Sequence, residues 1–319
     1  MKLRRLGNSG LQVSVVGLGC NNFGKFGRMD IEATRTVIHQ ALDAGITLFD
    51  TADVYAPGTP GSSEEQMGAV LGDRRKDIVL ASKFGMQMDQ VGVKKGGSRR
   101  YIMAAVEDSL RRLKTDYLDL YQLHRPDADT PIEETLRAMD DLVRHGKVRY
   151  IGVSNMPAWQ VVEAQWTARD LSLNHFVSVQ DEYSLLARDV VERELSGAAR
   201  KYGLGILPFF PLASGALTGK YRRNQANPAG ARLSAQSALS ARFLSEASLD
   251  IIEKLAAFSE ARGHTLLELA FSWLLARPQV SSVIAGATKP EQITANAKAA
   301  EWALTADEIA EVDRLTKPA

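Results

Sequence analysis

The chain reads as an α/β protein of the (β/α)8 barrel class, preceded by a short β-hairpin. Three observations lead there. Eight strand-like runs alternate with helix-like segments along the whole chain. A length of 319 residues suits one such barrel, which commonly takes about 250 residues, so a single domain over 1–319 is expected. The open, doubly wound alternative lacks its fingerprint: GLGCNNFG carries two correctly spaced glycines and no third, and nothing else in the sequence fits.

The elements follow in order. LRRLGNSGLQVSVVGLG opens with two short apolar segments around Asn8-Ser9-Gly10, a turn signal that predicts a small hairpin leading into a first strand, VSVVGLG. Further strands are expected at 46–51, 78–83, 117–124, 150–154, 177–180, 205–210 and 280–285. Between them lie segments with apolar spacing near 3.6: IEATRTVIHQALDAG, SEEQMGAVLG, RYIMAAVEDSLRRLK, PIEETLRAMDDLVRHG, AWQVVEAQWTARD, VVERELSGAARKYG and LDIIEKLAAFSEARG. Gly45, Gly146, Gly203 and Gly263 follow final turns and Pro131 stands near a start, as helix punctuation demands. YRRNQANPAGARLSAQSALSARFL (221–244) breaks the alternation and reads as a long loop between the seventh strand and its helix, a lid or a surface excursion.

Composition narrows the function classes. Net charge is +1, so a strongly basic nucleic-acid surface is not expected. A single cysteine, Cys20, rules out an intrachain disulfide and a multi-cysteine zinc site. No apolar window of about 18 residues marks a membrane span, and the N-terminus lacks a signal-peptide pattern. A cytoplasmic protein is the expectation. SGALTGKY approaches a phosphate loop, but its spacing is wrong and Ser/Thr is missing after Lys220.

Four residues sit where predicted strands give way to loops: Asp50 and Tyr55 in FDTADVY, Lys83 in IVLASKF and His124 in YLDLYQLH. A parallel barrel gathers such positions at one mouth, where barrels carry their chemistry. Reducing a carbonyl needs hydride at carbon and a proton at oxygen as its charge grows. Tyr55 is the candidate acid. A phenol with a pKa of about 10 is a weak donor at neutral pH unless a positive charge lowers that value, and Lys83 is placed to supply one. Asp50 would keep Lys83 ionised, and His124 would orient the carbonyl. Each residue alone also fits a structural role; the set of four is what carries the reading. His39, His145, His175 and His264 lack complementary partners and receive no function.

FDTADVYAPG, ASKFG, LYQLHRP, IGVSN, VQDEYSLL, FFPLASGALTGKY and IAGATKPEQITAN stand in order between about residues 11 and 300, and with them the chain resembles the aldo-keto reductases. The resemblance implies a nicotinamide dinucleotide, with NADP preferred over NAD by a small margin because Lys289 is the chief basic residue near the adenosine end. It implies Ser154, Asn155 and Gln180 against the carboxamide, and Phe209 stacking where relatives commonly use tyrosine, with Phe210 in place of a small polar neighbour. Pro211, Leu212, Ser214, Gly215, Leu217 and Lys220 match the segment that wraps the pyrophosphate. Gly286, Thr288, Lys289, Gln292 and Asn296 match the adenosine end, with a helix beginning at about Pro290.

Implied partners are a small carbonyl substrate, such as a sugar-derived carbonyl, a methylglyoxal-like compound or an aromatic aldehyde, with no nucleic acid and no membrane. Asn22, Phe23, Tyr55, Phe84, Met86 and Arg125 are candidate pocket walls, Arg125 either recognising an anionic or hydroxylated substrate or forming a surface ion pair. The same machinery would run in reverse, with Tyr55 as base. The alternative is a cofactor-sensing subunit of the potassium-channel β type. The intact set of four and the lack of an N-terminal extension count against it.

Overall fold

The computed structural model describes residues 1–24, 29–56, 58–223, 225, 227–228, 231–234 and 238–316. Strands β1 (Leu3–Arg5) and β2 (Gln12–Ser14) pair antiparallel around the predicted turn. Eight parallel strands follow: β3 (Val16–Gly19), β4 (Leu48–Asp50), β5 (Val79–Phe84), β6 (Leu118–Leu123), β7 (Val148–Ser154), β8 (Ser178–Glu182), β9 (Gly205–Phe209) and β10 (Val283–Gly286). Each pairs with its neighbour in sequence, and β10 pairs with β3. The remaining seam is joined where the Ile206 amide donates to the Gln279 carbonyl (2.7 Å) and the Ser281 amide to the Ile206 carbonyl (3.0 Å). The predicted barrel is thus present. Strand ends differ from the expected bounds by up to three residues, and at the first barrel strand the difference changes the assignment: Val13 and Ser14, expected there, belong to the hairpin.

The α-helices among the described residues are α1 (Ile31–Asp43), α2 (Ser62–Leu71), α3 (Arg99–Leu113), α4 (Ile132–Arg144), α5 (Ala158–Asp170), α6 (Ser196–Tyr202), α7 (Ala238–Phe243), α8 (Glu246–Glu260), α9 (Leu266–Leu275), α10 (Pro290–Ala299) and α11 (Ala306–Leu315). Gly45, Gly146, Gly203 and Gly263 all carry the left-handed φ expected just past a final turn. VVERELSGAARKYG is not one regular helix, since Val191–Leu195 forms a π turn before α6. Within 221–244 the structure places α7, whereas residues 224, 226, 229–230 and 235–237 lie outside the described residues.

The two-residue strand period sorts side chains between two cores. Along β5, Val79, Ala81 and Lys83 face the barrel axis, and Leu80, Ser82 and Phe84 face the helices. Leu48, Ala81, Leu120, Leu207 and Ile284 form a lower interior layer, and Leu6 and Val13 of the hairpin segment plug it from below. Gly7 holds that plug in place: at φ +58° with a would-be Cβ only 2.4 Å from the Gly203 carbonyl, no larger residue fits. Above it the interior changes character, to Asp50, Lys83 and Gln122 two residues further along β4, β5 and β6, and to Ser154 and Gln180 on β7 and β8, all buried.

Candidate active site

Backbone pairing past the strand ends fixes the loops that carry the candidate residues. The Asp53 amide donates to the Lys83 carbonyl (3.1 Å), the His124 amide to the Phe84 carbonyl (2.8 Å) and the Asn155 amide to the Gln180 carbonyl (3.0 Å). A turn closed by the Tyr55 amide on the Ala52 carbonyl (3.2 Å) brings Tyr55 back over the barrel axis.

There the four sequence-selected residues meet. The Lys83 ammonium, fully buried, donates to Asp50 Oδ2 (2.7 Å), to the Thr51 carbonyl (2.9 Å) and to the Tyr55 hydroxyl (3.1 Å). All three ammonium protons are thereby engaged. Burial pulls the Lys83 pKa down, but Asp50 and Tyr55 more than offset this and the net direction is upward, so the ammonium stays charged. Asp50 Oδ1 accepts from Gln180 Nε2 (3.0 Å) and Gln122 Nε2 (3.4 Å). Gln122 went unnoticed in the sequence, although it sits on β6 in register with Lys83 and shares Leu120's inward parity.

Tyr55 departs from expectation. Burial raises its phenol pKa, Lys83 pulls the other way, and the net direction is upward rather than down. The ammonium limits the rise that burial alone would produce, and the phenol stays protonated at neutral pH. The His124 ring stands edge-on to Tyr55, with centroids 5.8 Å apart. Burial first, then the charges of Lys83 and Arg125, lower its pKa to about 3, so the imidazole is neutral. Its Nδ1 is buried with no partner among the described residues, which leaves Nε2 as the nitrogen toward the mouth.

Around this centre lie the residues proposed for a dinucleotide. Asn155, at φ +54°, donates from Nδ2 to the Ser154 hydroxyl (2.9 Å) and to the His124 carbonyl (3.1 Å). Gln180 therefore serves Asp50 and Asn155 serves Ser154 in this structure. Phe209 and Phe210 are half-buried with ring centroids 5.4 Å apart at the end of β9. Pro211 and Leu217 are buried, Leu212 is half-buried and Lys220 is exposed with its ammonium 5.2 Å from the Tyr221 ring centroid.

Ala213, Ser214 and Gly215 carry φ of 47°, 57° and 100°, and the Ser214 hydroxyl is buried without a partner among the described residues. The Ala213 and Gly215 amides are already bonded to the Phe210 and Leu212 carbonyls (2.8 Å each), which leaves the Ser214 hydroxyl as the group here with capacity for a ligand oxygen. At the other strand end, Gly286 is exposed, and the Thr288 and Lys289 amides both donate to Gln292 Oε1 (2.7 and 3.2 Å) at the start of α10, where Lys289 is exposed and Asn296 buried. Arg232, from the long loop, donates to Asn22 Oδ1 (2.7 Å), and Asn22 Nδ2 reaches the Ala287 carbonyl (3.5 Å).

The expected pocket wall needs correction. Phe23 and Phe84 are fully buried, and Phe84 packs on Tyr121 behind the barrel wall with centroids 4.8 Å apart. The outward parity of Phe84, one residue past Lys83, accounts for that. Met86 remains half-buried, and Arg125 is exposed with no ion pair among the described residues.

A family model described as the aldo/keto reductase family matches residues 15–317. The chain is 39% identical over 305 residues to a probable voltage-gated potassium channel subunit beta of Oryza sativa subsp. japonica, covering 94% of this chain and 91% of that protein. It is 38% identical to a putative protein of the same name from Schizosaccharomyces pombe, with 98% and 92% covered. Against the L-glyceraldehyde 3-phosphate reductase of Escherichia coli K12 it is 33% identical, again with 98% and 92% covered. No helix among the described residues is long and apolar enough to cross a membrane.

Proposed function

The chain belongs to the aldo/keto reductase family, and on that premise we propose that it reduces a small aldehyde or ketone with NADPH, Tyr55 acting as the proton donor. The observation that carries this reading is the Lys83 ammonium held by Asp50 at 2.7 Å and bonded to the Tyr55 hydroxyl at 3.1 Å. A carbonyl oxygen resting between Tyr55 and His124 receives a hydrogen bond from each. As its negative charge grows, the Tyr55 proton moves to it, and the phenolate left behind is stabilised by Lys83. A neutral His124 suits this role because it donates a hydrogen bond without competing to deliver the proton. The nicotinamide dinucleotide supplies the hydride when bound.

Ser154, Asn155, Gln180 and Phe209 are proposed to hold the nicotinamide end. Pro211, Leu212, Ser214, Gly215, Leu217 and Lys220 would hold the diphosphate, and Gly286, Thr288, Lys289, Gln292 and Asn296 the adenosine end. NADP is favoured by the exposed Lys289 at the head of α10, a cation suited to a 2′-phosphate. Arg125, beside His124 and without an ion pair among the described residues, favours substrates with an anionic group, in keeping with the phosphorylated triose named for the Escherichia coli relative.

Titration of NADPH against NADH, followed by turnover of glyceraldehyde 3-phosphate, methylglyoxal and benzaldehyde, tests the reading. Tighter NADPH binding and oxidation of the cofactor by at least one aldehyde are expected. Cofactor binding without turnover of any carbonyl would instead favour a cofactor-sensing subunit, the reading suggested by the names of the rice and fission-yeast relatives.

A further inference from the structure

Behind the wall that carries Lys83 lies a second buried polar cluster that plays no part in the proton transfer. Ser82, on the opposite face of β5 from Lys83, donates to Glu64 Oε1 (2.5 Å), and Arg112 Nε donates to Glu64 Oε2 (2.7 Å). Asp53, two residues before Tyr55, enters the same layer. Its Oδ2 accepts from the Tyr101 hydroxyl of α3 (3.2 Å), and its Oδ1 is buried with no partner among the described residues. Tyr121 of β6 adds a second buried hydroxyl without a partner among the described residues. Asp53 and Glu64 are 1% and 0% exposed.

We propose that Asp53 is a positioning residue, tying the Tyr55 turn to α3 through Tyr101 and to β5 through its own amide, and that its protonation state sets how firmly that turn is held. The inference rests on Tyr55 being the proton donor. The geometry gives Asp53 two anchors of opposite kind: the backbone bond to the Lys83 carbonyl and the side-chain bond to Tyr101. Only Val54 separates Asp53 from Tyr55, so a shift of Asp53 is passed on to the phenol and its bond with the Lys83 ammonium.

The charges facing Asp53 explain why it holds a proton. Glu64 comes from α2, Tyr101 and Arg112 from α3, Tyr121 from β6 and the Lys83 carbonyl from β5. Two carboxyls share one guanidinium, and Arg112 is bonded to Glu64. Burial, then repulsion from Glu64, raises Asp53 to about 8, with Arg112 and Tyr101 opposing. An uncharged acid with an unpartnered oxygen is far less costly in such a place than an unpaired carboxylate. Ionisation as pH rises through about 8 sets two buried anions against each other directly behind the Tyr55 turn.

Two measurements on the parent and on Asp53→Asn and Tyr101→Phe test this. The first is hydrogen–deuterium exchange of the peptide spanning 51–55 between pH 6 and 9, after correction for the intrinsic rate. The parent should lose protection several-fold around pH 8, Asp53→Asn should lack that transition because it keeps an acceptor for Tyr101 and cannot ionise, and Tyr101→Phe should be under-protected throughout. The second is the pH profile of turnover. The parent should show a falling limb near pH 8 that is absent in Asp53→Asn, and Tyr101→Phe should lower kcat about fivefold with KM little changed. Identical exchange in parent and Asp53→Asn would overturn the proposal. An inactive parent would sink the reductase reading, while the exchange measurement would still decide the role of Asp53.

Discussion

The two ends of the barrel interior are built from the same strands and obey different physics. At the bottom, Leu48, Ala81, Leu120, Leu207 and Ile284 close on Leu6 and Val13, and burial of apolar surface stabilises the layer without reference to orientation. At the top, Asp50, Lys83 and Gln122 two residues further along their strands, with Gln180 of β8, are equally hidden and held as a set around the Asp50 carboxylate, which accepts from Lys83, Gln122 and Gln180. The bottom tolerates replacement by anything apolar of similar volume; the top tolerates almost none. A site that must present a proton to a substrate is thus mounted on a base that asks only for volume.

Lys83→Met breaks the contrast most severely. It turns a top residue into a bottom-type residue and leaves Asp50 a buried anion with only two amide donors. Breaking a buried pair in this way costs about 3–5 kcal/mol, so the variant should lose that much in chemical denaturation as well as nearly all turnover. Tyr55→Phe separates the two quantities. The ring stays and the acid is lost, so kcat should fall by about 10²–10⁴ while the thermal midpoint and NADPH affinity stay near the parent's. Near-normal turnover would remove Tyr55 from its assigned role.

That the barrel closes and gathers its polar strand ends at one mouth was legible in the sequence. The period-two pattern of IVLASKF and LYQLH places Lys83 and Gln122 on the axis side, and eight such runs imply closure. What could not be read was anything set by burial from distant segments. The direction of the Tyr55 pKa depends on how deeply the turn is covered; Phe84 is a different case, since period two beside an inward Lys83 sends it outward and excludes it from the pocket wall. Besides α7, which lies in the stretch read as a long loop, two helices escaped for different reasons. In α9, LLELAFSWLL is apolar on nearly every side and shows no amphipathic period, and α11 falls in a polar tail. Both nevertheless begin with a readable capping box, Thr265 with Glu268 and Thr305 with Glu308. Periodicity alone passed over that signal.

Leu120→Ala addresses the bottom layer by itself. Removing a fully buried side chain beneath Gln122 should cost about 2–5 kcal/mol through lost transfer energy and the cavity left behind. Because the polar layer is held by its own hydrogen bonds, kcat at 25 °C should stay within about threefold of the parent, an activation difference of roughly 0.7 kcal/mol. A collapse of kcat in a still-folded variant would mean that the upper layer draws its geometry from the packing below, and the division between the ends would fail.

The smallest effect is an absence of change. His124 is a base whose pKa is depressed to about 3 by burial and by the neighbouring Lys83 and Arg125, so it is neutral throughout the range from pH 5 to pH 7. An ordinary histidine with a pKa of about 6.5 would be almost wholly protonated at pH 5. The turnover profile over that range should therefore be flat to within about twofold, a pH-independence consistent with a hydrogen-bonding rather than a proton-delivering imidazole. Folding stability carries the matching sign: protons bind the unfolded imidazole more readily, so this group's contribution is complete above pH 6.5 and is lost as pH falls toward 3. A sigmoidal rise in rate with a midpoint near 6.5 would show that His124 titrates as an exposed residue, and the upper layer would then be open to water where the structure has it closed.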